Sequence, residues 1–129
     1  MILQHMYYKH FKGGVYKVLM LPLNATDGKE MVAYVGKNDP RIWVCPAAEF
    51  EKKFMMYLPF GTVLHKDGCQ FVVTHNGLGY TRLYCNETGE EYKLKLVDVK
   101  RHHVSSWAVV TMYEYDNKTK ITYEFEVKL

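Results

Sequence analysis

The stretch Ile121-Thr122-Tyr123-Glu124-Phe125-Glu126-Val127-Lys128-Leu129 alternates apolar and polar residues without a break. Successive side chains of a strand point to opposite faces, so a period of two predicts one buried and one wet face. Ile121, Tyr123, Phe125, Val127 and Leu129 fall on the first face, and Thr122, Glu124, Glu126 and Lys128 on the second. Upstream, Trp107 to Tyr115 begins apolar on both faces, which predicts a partner strand more interior to the sheet. The pair reads as a hairpin and sets the class as mainly β.

Further strands follow at short intervals toward the N-terminus: Glu91–Val97, Tyr80–Asn86, Cys69–Thr74 and Thr62–His65. Their turns are Asn86-Glu87-Thr88-Gly89, His75-Asn76-Gly77 and Lys66-Asp67-Gly68, in which Asn-Gly and Asp-Gly are hairpin dipeptides. Lys100-Arg101-His102-His103 reads as a basic loop before the last hairpin. Pro59-Phe60-Gly61 marks a boundary between residues 1–58 and 61–129. Ahead of it lie strands Ile42–Cys45, Met31–Val35 and Val15–Leu21, the last bounded by Gly13-Gly14 and Pro22. One short helix is predicted after Pro46. Ala47, Ala48, Glu49 and Glu51 suit its first turn, Lys52 and Lys53 its last, and Phe50 and Phe54 form an i, i+4 apolar stripe.

Over 129 residues, 48% hydrophobic and 24% charged content is that of a folded domain and argues against disorder. No apolar run approaches the roughly 20 residues that span a bilayer. Met1-Ile2-Leu3-Gln4-His5-Met6 lacks the charged head and apolar stretch of a secretory leader, so a cytoplasmic protein is expected. Cys45, Cys69 and Cys85 are odd in number and widely spaced, which suggests neither a disulfide framework nor a C-x-x-C metal knuckle. The Asn-x-Thr triplets at Asn24, Asn86 and Asn117 are read as turns.

The net charge is +3. Residues 1–64 carry 8 Lys/Arg against 5 Asp/Glu, and residues 65–129 carry 9 against 9, so the excess lies in the first half. This balance disfavours an acidic nucleic-acid mimic. Tyrosine is over-used, with 11 residues; it suits strands, and it also suits binding faces.

Chemistry of other kinds is not signalled. There is no G-x-S-x-G elbow, P-loop or dinucleotide fingerprint, and Ser105-Ser106 reads as loop. His102 and His103 are adjacent and point apart in a strand, so no metal and no cofactor is expected. Glu114, Glu124 and Glu126 read as a solvated sheet face. No catalytic residue is assigned, and the chain is read as a non-enzyme. Two basic–aromatic clusters remain: Tyr7-Tyr8-Lys9-His10-Phe11-Lys12, and Lys100-Arg101-His102-His103 with Lys93 and Lys95 on the wet face of the preceding strand. Cations neutralise phosphates and rings stack bases. Tyr8, Lys9, His10, Lys12, Lys93, Lys95, Lys100, Arg101 and His102 are therefore the candidate binding residues for an anionic nucleotide-like ligand or a nucleic acid.

The stretch Tyr8-Lys9-His10-Phe11-Lys12-Gly13-Gly14-Val15-Tyr16-Lys17-Val18-Leu19, with Glu30-Met31-Val32-Ala33-Tyr34, Ile42-Trp43-Val44-Cys45-Pro46 and Phe50, resembles a bacterial family, the domain of unknown function numbered 1653. The resemblance spans about residues 6–54 and implies a small SH3-like barrel with a short helix. In that picture Tyr16, Val18, Val32, Tyr34, Trp43 and Phe50 are core. The chain departs from the family at Cys45, where arginine is usual, and at Ala48, near a usual glutamate. The expectation is then an N-terminal SH3-like barrel followed by a C-terminal antiparallel hairpin sheet packed on it. The alternative function is a protein–protein interaction module, such as a phage-type inhibitor of a host defence protein. Tyr7, Tyr80, Tyr84, Tyr113 and Trp107 would then be exposed, and the edge of the last hairpin would offer a route to a homodimer.

Overall fold

The computed structural model describes residues 2–77, 79–101, 106–116 and 121–129, with Arg101 described in its backbone alone. They form two compact units, Ile2–Tyr57 and Leu58–Leu129. Both are antiparallel β structures, and one helix is present among the described residues.

The first unit contains β1 (Tyr7–His10), β2 (Val15–Met20), β3 (Met31–Gly36), β4 (Ile42–Pro46), helix α1 (Ala47–Lys53) and β5 (Phe54–Tyr57), in the order β4-β3-β2-β1-β5. The strands form a five-stranded antiparallel sheet with β4 and β5 at its two ends, and the short helix that the family resemblance implies is present. The apolar stripe predicted for α1 is realised: Phe50 and Phe54 stack with centroids 4.0 Å apart. Phe54 then leaves the helix in an extended conformation and opens β5. Val18, Val32 and Phe50 are buried as expected. Trp43 is not; it is 43% exposed.

The second unit contains β6 (Val63–Lys66), β7 (Cys69–Gly77), β8 (Tyr80–Cys85), β9 (Glu91–Arg101), β10 (Trp107–Glu114) and β11 (Thr122–Lys128). Each strand pairs with the next in sequence, and β11 pairs back to β6 through Glu126↔His65 and Val127↔Leu64, so the unit is a closed up-and-down barrel. The expected antiparallel hairpin sheet thus closes into a barrel, because its two ends meet. Closure pairs the Glu126–Val127 end of β11 on both sides. The alternation read at the C-terminus holds within β11: Phe125 and Val127 are buried, while Thr122, Glu124, Glu126 and Lys128 are exposed. Ile121, expected on the buried face, precedes the strand and is exposed. Leu64, Val73, Leu83, Leu94, Val110 and Met112 complete an aliphatic interior. Thr81, the one buried polar side chain among the described residues, donates to Asn76 Oδ1 at 2.8 Å, and Asn76 Nδ2 donates to the Leu58 carbonyl.

Two expected loops are strand. β7 continues through His75-Asn76-Gly77, which moves the hairpin turn beyond Gly77. β9 continues through Lys100 and Arg101, where Val109↔Lys100 and Ala108↔Arg101 are paired. His102 and His103 lie outside the described residues, as do Leu78 and Asn117-Lys118-Thr119.

Candidate functional site

The N-terminal cluster divides between the two faces of β1. Tyr8 is 4% exposed and its hydroxyl accepts the Leu3 N–H at 2.9 Å, so it is a core residue rather than a ligand contact. Burial pushes its phenol pKa up. Lys9, the next residue, faces the opposite way and lies 6.0 Å from the Tyr57 ring. His10 returns to the Tyr8 face and meets Phe54 edge-on at 4.8 Å. Lys12 stands in the β1–β2 turn over Phe11.

His10 and Lys12 line an open cleft with Gly13, Tyr16, Tyr34, Trp43 and Phe54, of about 360 Å³. Cross-strand register puts its rings together. Val18 is opposite Tyr34, Tyr34 is opposite Trp43, and Tyr16 lies two residues before Val18 on the same face. Tyr16, Tyr34 and Phe54 pack mutually edge-on at 5.2–5.5 Å. At the rim, Arg41 chelates Asp39 (2.9 Å between Nη2 and Oδ2) and its guanidinium lies 5.0 Å from the Trp43 ring. The Arg41 side chain and backbone N–H groups hold the Asp39 carboxyl down at about 2, helped by the indole of Trp43.

The C-terminal cluster also divides. Lys93 and Lys95 share the outer face of β9, as expected, whereas Lys100 is five residues further on, roughly 17 Å at strand rise. Arg101 pairs with buried Ala108, its side chain lies outside the described residues, and His102 is outside them altogether.

Lys93 and Lys95 find other company. The Lys93 Nζ lies 4.2 Å from the Tyr80 ring and 4.5 Å from the Tyr115 ring, and these rings are themselves 5.1 Å apart. Lys95 is opposite Tyr113 and 5.9 Å from its ring. Arg82, exposed on β8, is directly opposite Lys93 and 5.9 Å from Tyr80. Tyr80 can lie flat here because Gly77 is its cross-strand partner; a Cβ at that position would come within 2.2 Å of the ring.

Arg82 was missed in the sequence, although a signal existed, and Tyr80 was named there only for a partner surface. The turn at Asn86–Gly89 fixes Tyr84↔Glu91, and counting back by two gives Arg82↔Lys93. Of the residues proposed for a partner surface, Tyr7 and Tyr84 are exposed, while Tyr80, Tyr113 and Trp107 are half-buried. Glu114 accepts a hydrogen bond from the Tyr123 hydroxyl at 2.9 Å. Among the described residues no three His, Cys, Asp or Glu side chains gather as metal ligands would, and no helix is long and apolar enough to cross a membrane.

Residues 6–58, within the N-terminal unit, match a family described as a protein of unknown function, DUF1653. No curated protein and no solved structure matches the chain.

Proposed function

We propose that this is a non-enzymatic binding protein that holds single-stranded nucleic acid on the outer face of its barrel. Arg82, Lys93 and Lys95 would meet phosphates, and Tyr80, Tyr113 and Tyr115 would offer faces to the bases. The observation that carries this reading is the direct opposition of Arg82 and Lys93. Like charges opposite each other on a sheet cost stability, and an approaching anion relieves that cost. The clamp of Tyr80 and Tyr115 fixes the Lys93 ammonium in advance, so little side-chain entropy is lost when a phosphate arrives. An outer strand face offers a track rather than a pocket, which favours an extended strand over a free nucleotide. A cytoplasmic setting accords with three thiols that are all free.

Fluorescence anisotropy with a labelled oligonucleotide across a salt series tests the reading. Three phosphate contacts on a single strand predict a log–log slope of about −2. Arg82→Glu with Lys93→Glu should weaken binding at least about tenfold, the loss of one or two charge-assisted contacts. A cyclic nucleotide should compete poorly. Binding that ignores salt and both charge reversals would sink the proposal.

A second reading, the protein–protein module, has one observation in its favour. Met20, Ile42, Val44 and Met55 are 54%, 63%, 55% and 76% exposed on the first unit, and β4 is an edge strand of its sheet. A host defence protein, as expected for a phage-type inhibitor, is one such partner. Native mass spectrometry of the chain purified from its host separates the readings, by an added oligonucleotide mass or an added protein mass.

A further inference from the structure

We infer that the cleft of the N-terminal unit is a separate small-molecule site, for a planar aromatic ring that carries one anionic group. Nothing in this inference depends on the barrel face.

The cleft is built as such sites are, from apolar rings with a few convergent donors. Its floor and walls are fixed. Phe54 is 8% exposed and stacks on the fully buried Phe50, with planes 9° apart. Tyr16 lies between two glycines: a Cβ at Gly14 would stand 3.2 Å from its ring, and one at Gly36 would stand 3.1 Å away. Tyr34 packs on Phe50 and Phe54. Pre-set walls of this kind lose little entropy when a flat ligand enters.

Trp43 is the residue that this unit's own packing does not explain. It faces Tyr34 in register, on the face that carries the core, and yet remains 43% exposed. The indole stands beside the Asp39 carboxyl, which it helps to keep ionised, and Arg41 lies over the ring. What Trp43 offers to the cleft is therefore apolar ring surface, which an inserted aromatic would cover.

The polar groups at the mouth choose the sign of the ligand. His10 Nδ1 accepts the Lys12 N–H at 3.1 Å, so the imidazole proton sits on Nε2, as a donor. Lys12 adds an exposed ammonium. No carboxylate lines the cleft, and the nearby Asp39 is already chelated by Arg41. Aromatic cages can also hold quaternary ammonium groups, but a cation would meet Lys12 with no opposing charge. An aromatic carboxylate or the monophosphate of a nucleoside satisfies both halves of the site.

The two tryptophans allow a direct test. In the full chain carrying Trp107→Phe, the indole emission reports on Trp43 alone. Adenosine 5′-monophosphate and nicotinate should each quench it saturably. Adenosine without phosphate should bind about tenfold more weakly, the worth of one charged contact. Lys12→Glu should erase that difference while adenosine is unaffected. Quenching by adenosine 5′-monophosphate should persist when Arg82 and Lys93 are reversed to Glu, which separates this site from the barrel face. No saturable response to either anionic probe at millimolar concentration overturns the inference, as does choline binding as tightly as the nucleotide.

Discussion

The two units differ in where most of their strand tyrosines point. In the first, Tyr8, Tyr16 and Tyr34 turn toward Phe50 and Phe54 and build an aromatic interior. In the second, the interior is mostly Leu, Val and Met with Phe71 and Phe125. Tyr92 and Tyr123 turn inward beside these two rings, with Glu90 and Glu114 meeting their hydroxyls, while Tyr80, Tyr84 and Tyr113 lie on the outer face among Arg82, Lys93 and Lys95. A phenol goes inside where its hydroxyl finds a partner. Tyr8 finds the Leu3 N–H. The mostly aliphatic barrel interior offers no such partner at most positions, and its one buried polar residue among those described, Thr81, needs Asn76. A tyrosine count therefore says nothing of where the rings go; local hydrogen-bonding partners decide it.

The strongest way to break this contrast is to empty each interior. Phe50→Ala and Phe125→Ala each remove a ring that is 1% exposed and should each cost about 3–5 kcal/mol, read by urea unfolding. A loss under about 1 kcal/mol at either position would mean that the ring is not core. Next in size, Tyr8→Phe keeps the ring but orphans the Leu3 N–H, for a loss of about 1–3 kcal/mol. Tyr113→Phe, on the barrel's outer face, should stay within about 0.5 kcal/mol. Equal effects would erase the distinction between an inward and an outward phenol.

Smaller still is the effect of Lys93→Glu, and its sign is the informative part. Opposite Arg82, a carboxylate replaces like-charge repulsion with attraction, so stability should rise by about 0.2–1 kcal/mol while oligonucleotide binding falls. A destabilised variant would mean that the tyrosine clamp on Lys93 outweighs the repulsion. The smallest signal concerns the rim of the cleft. Asp39 is depressed from 3.8 to about 2, so its hold on Arg41 and Trp43 is complete above 3.8 and is lost as pH falls through about 2. Trp43 emission should stay flat from neutral pH to about 4 and change only below that. A change centred near 4 would place Asp39 outside the chelate.

Local pattern carried part of this in the sequence. The alternation of Thr122–Lys128 named its buried residues, and Ala47–Lys53 was found from its charges and its Phe50/Phe54 stripe. The Lys66-Asp67-Gly68 turn appears with positive φ at Asp67 and Gly68, as a tight hairpin requires. What escaped was non-local. Closure depends on Val127 meeting Leu64 across the length of the barrel, which no window of sequence contains. β1 and β5 are four residues each, too short for a period to stand out, and they hold each other through Tyr8↔Met56 and His10↔Phe54. Irregular register matters as well. The shift between Val73 and His75 on β7 brings His75 opposite Arg82, a placement strict alternation would not give. Tyr8 was misplaced for the same reason, since four residues of β1 do not announce which face is buried. Lys93 and Lys95 were correctly put on a wet face, yet their partners came from β8 and β10 rather than from the basic run downstream.

The most direct measurement is an amide and tyrosine-ring NMR titration of the intact chain with a short single-stranded oligonucleotide at low salt. Shifts should concentrate at Tyr80, Arg82, Lys93, Lys95, Tyr113 and Tyr115, leave the Tyr8 ring unmoved, and fade as salt is added. Perturbation centred away from β8, β9 and β10, or none at saturating oligonucleotide, would contradict the binding face.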